Sequence, residues 1–176
     1  MENRRLKLSD VSGYFPYGLK FLYTKNAGII NEGIYGFETV KKTKMGSAYR
    51  LSKTRFINSS GFDSLKIILR PLSDLYKTIT HNGKEIVPIV ELAKIAQPDI
   101  EWYFDHNRAY FDGGYKELVY DPTNCCFRQW CYGLEKHTHK QYQLFDYLHE
   151  LKVDYRGLID AGLAVDCNTL DVNSYK

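Results

Sequence analysis

The spacing of apolar and polar positions predicts a mixed chain in which strands come in groups. Segments 18–24 (GLKFLYT) and 29–40 (IINEGIYGFETV) are rich in β-branched and aromatic residues, as are 49–57 and 65–69 (LKIIL). Such runs read as strands, and the last is apolar enough to lie inside a sheet. Gly33 and Gly36 point to a bulge or a close backbone approach within the second. Ser9 or Asp10 could cap a short helical turn, soon interrupted by Gly13 and Pro16. Pro71 suits the first position of a helix that places Leu72, Leu75 and Tyr76 on one face. Asn82-Gly83 is the strongest turn signal of the chain and predicts a hairpin. Pro88 starts a second helix with Ile89, Leu92, Ala93 and Ile95-Ala96 as its apolar face, and Pro98 stops it.

Residues 102–132 read as β again. Turns are expected at His106-Asn107, at Gly113-Gly114 and at Asp121-Pro122-Thr123-Asn124. Beyond them the period becomes helical. Thr138 with Gln141 resembles a capping box, and Leu144, Phe145, Leu148 and Leu151 form a stripe. Asp154 would cap a further short helix through Leu158-Ile159, ended by Gly162, and residues from Cys167 onward are polar enough to fray. The expectation is an α+β fold of about seven or eight mostly antiparallel strands and three or four helices, the longest near the C-terminus. A chain of 176 residues suits one domain.

Charge divides that domain. Residues 1–80 carry 14 Lys/Arg against 6 Asp/Glu, net +8, and residues 81–176 carry 10 against 15, net −5. Two subdomains, basic 1–80 and acidic, aromatic-rich 81–176, would account for it. The basic charge concentrates in 41–55, with Lys41, Lys42, Lys44, Arg50, Lys53 and Arg55 around Tyr49. Cations beside an aromatic suit a nucleic-acid backbone or a phosphate-bearing ligand. The alternative is a solvated hairpin tip whose lysines block edge-to-edge pairing.

Of the 15 Tyr, 9 Phe and 2 Trp, ten fall within 102–132. Trp102, Tyr103, Tyr110, Tyr115 and Trp130 are the candidate aromatic surface there, because alternating core positions cannot absorb every ring of the stretch. Cys125, Cys126, Cys131, His137 and His139 are spaced unlike any zinc module, so no metal site is expected. Whether they meet in space stays open. Glycine-rich phosphate loops and nucleophile motifs are absent, so neither a cofactor nor a catalytic residue is expected. The start MENRRLKLSDVSG has no apolar run behind it, and no stretch approaches a membrane span of about 20 residues. A cytoplasmic protein with free thiols follows.

Four segments, LSDVSGYFPYGLK (8–20), KIILRPLSDL (66–75), IVPIVELAKI (86–95) and QLFDYLHELKVDYRGLIDAGLAVDCNTL (143–170), resemble a group of short proteins of phages and prophages of Bacteroidetes-type gut bacteria. They cover about two-fifths of the chain, with the basic and aromatic stretches outside them. The resemblance implies a phage origin and the host bacterial cytoplasm, and brings no activity or catalytic residue with it. The expected function is a non-enzymatic accessory protein that binds and inhibits a host factor, an antiviral-defence protein or its nucleotide signal. Nucleic-acid binding through 41–55 is the first alternative, and a small metal- or thiol-dependent enzyme the second. The oligomeric state is left open.

Overall fold

The computed structural model describes residues 6–23, 33–43, 46–51, 56–58, 65–105, 108–111, 116–170 and 175. Leu8, residues 37–43, 46–51 and 56–58, and His137 are described by their backbone alone. In chain order the elements are α1 (Leu8–Val11), β1 (Lys20–Tyr23), β2 (Gly33–Thr43), β3 (Gly46–Leu51), β4 (Phe56–Asn58), β5 (Leu65–Leu69), β6 (Ile79–His81), β7 (Lys84–Ile86) and α2 (Pro88–Ala96). There follow β8 (Tyr103–Asp105), β9 (Arg108–Phe111), β10 (Lys116–Asp121), β11 (Cys126–Cys131), β12 (Leu134–His137), α3 (Gln141–Leu151) and β13 (Ala164–Asp166). The fold is α+β with mostly antiparallel sheets. It forms two compact units, Met1–Leu69 with Gly157–Ser174, and Arg70–Arg156 with Tyr175–Lys176.

The first unit holds a six-stranded sheet in the order β13-β5-β1-β2-β3-β4. Every pairing is antiparallel except that of β13 with β5. The apolar run of β5 lies between β1 and β13, and Leu65, Ile67, Ile68 and Leu69 are all buried, as a strand inside a sheet requires. The register shift in β2 falls between Phe37 and Thr39, just past Gly36. The expected strand 49–57 divides between β3 and β4, and residues 52–55 lie outside the described set.

The end of the chain departs from expectation. The short helix expected from Asp154 to Gly162 does not form. The Asp154 carboxylate accepts from the Arg156 N–H at 3.3 Å, but residues 155–162 form successive turns. Gly162 takes φ +70, and the chain then enters β13. Cys167 itself is not frayed: it is 2% exposed, and the Asp166 carboxylate accepts from the Asn168 N–H at 2.8 Å; residues 171–174 and 176 lie outside the described residues.

The second unit holds a five-stranded antiparallel sheet, β12-β11-β10-β9-β8, and the hairpin β6-β7. Asn82-Gly83 makes the β6-β7 turn with φ values of 50° and 75°. Pro88 opens α2, where the missing N–H costs nothing, and the Lys140 ammonium donates to the Ile95 carbonyl at its far end (2.9 Å). The capping box of α3 does not form. Gln141 pairs instead with Phe127, its Oε1 accepting from the backbone N–H at 2.9 Å and its Nε2 donating to the carbonyl, and the same Nε2 also donates to the Thr138 carbonyl at 3.4 Å. The amide therefore acts as a short length of strand and ties the start of α3 to β11.

Arg70 is 3% exposed and gathers this unit's chain ends. Its N–H donates to the Lys152 carbonyl and its own carbonyl accepts from Asp154, both at 2.8 Å. Its guanidinium donates to the carbonyls of Thr80 and Tyr175 at 3.2 and 3.1 Å. Nearby in sequence, His149 Nε2 lies 2.8 Å from the Tyr155 hydroxyl. That hydroxyl accepts from Arg156 Nε at 3.1 Å. Burial first, then the Arg156 charge, lowers the His149 pKa against a smaller opposing effect of Asp146.

The folded state therefore resists protonation of His149. This contribution to stability is complete above the ordinary histidine range of about 6.5 and is lost as pH falls below it. The urea midpoint is expected to drop between about pH 7.5 and about pH 5, and to drop less in His149→Phe. An equal drop in both proteins would show that His149 contributes nothing to the slope.

Candidate protein-binding surface

Side chains alternate across a sheet, and the registers of the five-stranded sheet sort them into two sets. On the inner face Phe127 opposes Tyr120, Gln129 opposes Leu118, and Leu118 opposes Ala109, and all are buried. α2 packs against β9 and β10, and α3 against β11. Phe127 and Phe145 meet edge to face at 5.6 Å, Phe145 reaches Tyr155 at 5.0 Å, and the Tyr120 hydroxyl donates to the Tyr155 carbonyl at 3.0 Å.

On the outer face one row crosses all five strands: Glu135, Trp130, Glu117, Tyr110 and Tyr103. Trp130 is 37% and Tyr103 51% exposed, and Tyr110 is half-buried. The rings of Tyr103 and Tyr110 lie 6.2 Å apart. The charge of Glu101, which also hydrogen-bonds to it, raises the pKa of the Tyr103 phenol.

Charge on this face is arranged in pairs. Arg128 reaches Asp121 on β10 and Glu135 on β12, each at 2.6 Å, and Arg108 lies 3.5 Å from Glu117. Asp121 is also the hub of the β10–β11 turn, accepting from the backbone of Thr123 and Asn124 and from the Asn124 amide. The Asn124 amide is the main reason its carboxyl is held below the usual range. The turn expected at 121–124 is thus realised through the aspartate chemistry that signals it.

Three of the five aromatic candidates, Tyr103, Tyr110 and Trp130, come together on this face. Trp102 does not. It is 6% exposed, meets Phe111 edge-on at 4.6 Å and donates from Nε1 to the Gln97 carbonyl at 3.3 Å. It belongs to the core, because one step along a strand reverses the face. Tyr115 lies outside the described residues.

In the basic segment, the hairpin β2–β3 sets Lys41 opposite Ala48, Lys42 opposite Ser47, Tyr49 opposite Val40 and Arg50 opposite Thr39. Lys44, Lys53 and Arg55 lie outside the described residues. Cys125 is exposed in the β10–β11 turn, and Cys126 and Cys131 stand at opposite ends of β11. Among the described residues no group of three His, Cys, Asp or Glu side chains is placed to hold a metal ion, and no helix is long and apolar enough to cross a membrane.

Tyr132, one of the aromatics of 102–132, and Leu134, which no pattern in the sequence marked, are 61% and 67% exposed at the β11–β12 turn. The signal for that turn was a Tyr-Gly pair between two apolar runs, obscured because tyrosine is not a turn residue. No family model, curated protein or solved structure matches this chain.

The two tryptophans test the sorting of faces. Trp102→Ala is expected to cost about 3–5 kcal/mol in a denaturant titration. Trp130→Ala is expected to cost about 1 kcal/mol. Equal costs would show that the two side chains are not on opposite sides of the core boundary.

Proposed function

We propose that this chain is a non-enzymatic phage accessory protein that binds and inhibits a host protein, a component of antiviral defence. Its docking surface is the outer face of the five-stranded sheet. One observation carries the binding part: Trp130, Tyr110 and Tyr103 stand in a single outward row while the opposite face supplies the core. Aromatic side chains of this kind dominate binding energy because they bring large apolar area at small entropic cost. The paired charges among them suit the polar surround of such a surface. The phage origin, the host target and the host cytoplasm rest on the resemblance of the four segments.

A protein partner is favoured over a nucleotide or a nucleic acid at this face. Among the described residues of this face, Asp105, Glu117, Asp121 and Glu135 outnumber Arg108 and Arg128, and a phosphate would meet the excess of carboxylates.

The test is recovery of a host protein on the tagged chain, identified by mass spectrometry, followed by affinity measurements on three variants. Trp130→Ala is expected to weaken binding at least ~10-fold, and Tyr110→Ala and Tyr103→Ala by smaller factors, with unchanged circular dichroism. Wild-type affinity in all three would sink the assignment of this face.

A further inference from the structure

The second unit is not completed where the chain first leaves it. Residues 157–174 belong to the first unit, and Tyr175 returns to the second. There it meets the two residues that join the ends of the 70–156 stretch. Its carbonyl accepts from Arg70 Nη2 at 3.1 Å, and the Lys152 ammonium lies 5.3 Å from the centroid of its ring. Lys152 takes φ +58 at the end of α3, a left-handed turn of the kind that closes helices. The chain then passes Arg70 in a parallel bridge at Val153.

The guanidinium of Arg70 is buried, and among the described residues no carboxylate pairs with it. Its side-chain hydrogen bonds to described residues both come from Nη2, to the carbonyls of Thr80 and Tyr175, and Nε has no partner. A buried charge short of polar partners is strongly destabilising, so a guanidinium held by neutral acceptors depends on each of them. One of the two, Thr80, lies in the middle of β6, and β6–β7 is a two-stranded sheet of its own. A hairpin of that size is marginal in water by itself. Ile79 is buried, but Lys84 and Glu85 are exposed. The hairpin is tied to the rest of the unit through the Thr80 carbonyl on Arg70 and through His81 Nε2, 3.1 Å from Glu150 Oε1 on α3.

We infer that Tyr175 is a strap: its backbone carbonyl completes the set of acceptors around Arg70, and Arg70 in turn fixes the β6–β7 hairpin on the second unit. Releasing residue 175 therefore loosens the hairpin ahead of the five-stranded sheet. The second unit depends on a residue that reaches it only after the chain has passed through the first. The inference is independent of the binding reading above, because the strap and the outer face of the sheet share no residue.

The test compares the full chain with one stopped after Ser174, by thermal melting and by amide hydrogen exchange. The shortened chain is expected to lose about 4 °C or more in Tm. Exchange at 79–81 and 84–86 is expected to rise at least ~10-fold, and at β10 and β11 by less. Tyr175→Ala keeps the carbonyl and removes the ring, and is expected to retain most of the hairpin's protection. In Arg70→Met the same shortening is expected to lower Tm by less than about half as much, because the partner of the carbonyl is already gone. Hairpin exchange that is equal in the full and shortened chains overturns the inference. So does a shortening that costs as much in Arg70→Met as in the wild type. A Tyr175→Ala variant as damaged as the shortened chain also overturns it, by giving the effect to the ring on Lys152. If Arg70→Met does not fold, the exchange comparison of the other three chains decides by itself.

Discussion

The two-residue period of a strand governs the second unit. β10 and β11 each bury alternate residues against helices packed on one face, so the remaining residues must point the other way. Leu118, Tyr120, Phe127 and Gln129 take the inner positions and Glu117, Val119, Arg128 and Trp130 the outer ones. The exposure of Trp130 is therefore a consequence of the burial of Phe127 and Gln129. A one-residue slip would exchange the two sets and put Arg128 and Glu117 into the core, so the register and the surface stand or fall together.

Polar groups inside this unit keep that register. Gln141 bonds both the N–H and the carbonyl of Phe127, which fixes α3 against one residue of β11. The Tyr120 hydroxyl reaches the Tyr155 carbonyl, tying β10 to the segment beyond α3. Arg70 holds Thr80, Lys152, Asp154 and Tyr175 through backbone and guanidinium together. Buried donors and acceptors of this kind are costly if left unpaired. They therefore specify one arrangement more sharply than the apolar contacts beside them.

Local signals were readable wherever one residue type carries the reason for the structure. Asn82-Gly83, Pro88 and Asp121 each mark their turn or helix start through their own covalent chemistry. Signals failed where a distant partner decided. Thr138 and Gln141 have the spacing of a capping box, but β11 offered Gln141 a better pair of bonds. Asp154 through Gly162 has caps at both ends, yet the chain between them makes turns and delivers β13 to β5. β12 and β13 carry no alternation of their own, so only their pairing partners define them. Tyr132-Gly133 makes the same turn as Asn82-Gly83 with a residue that does not announce one.

From the sequence alone came the α+β class, the grouping of strands, the two helices begun at Pro88 and near Gln141, and the concentration of aromatics in 102–132. These depend on local period and on residue chemistry, which a linear reading contains. Which aromatic faces outward was a tertiary decision. Trp102 and Tyr103 are neighbours of similar character, and only the register of β8 on β9 and the packing of α2 beneath it sends one to the core and the other to the surface. Side-chain direction reverses at every residue, so no composition or periodicity broad enough to predict the strand could resolve it.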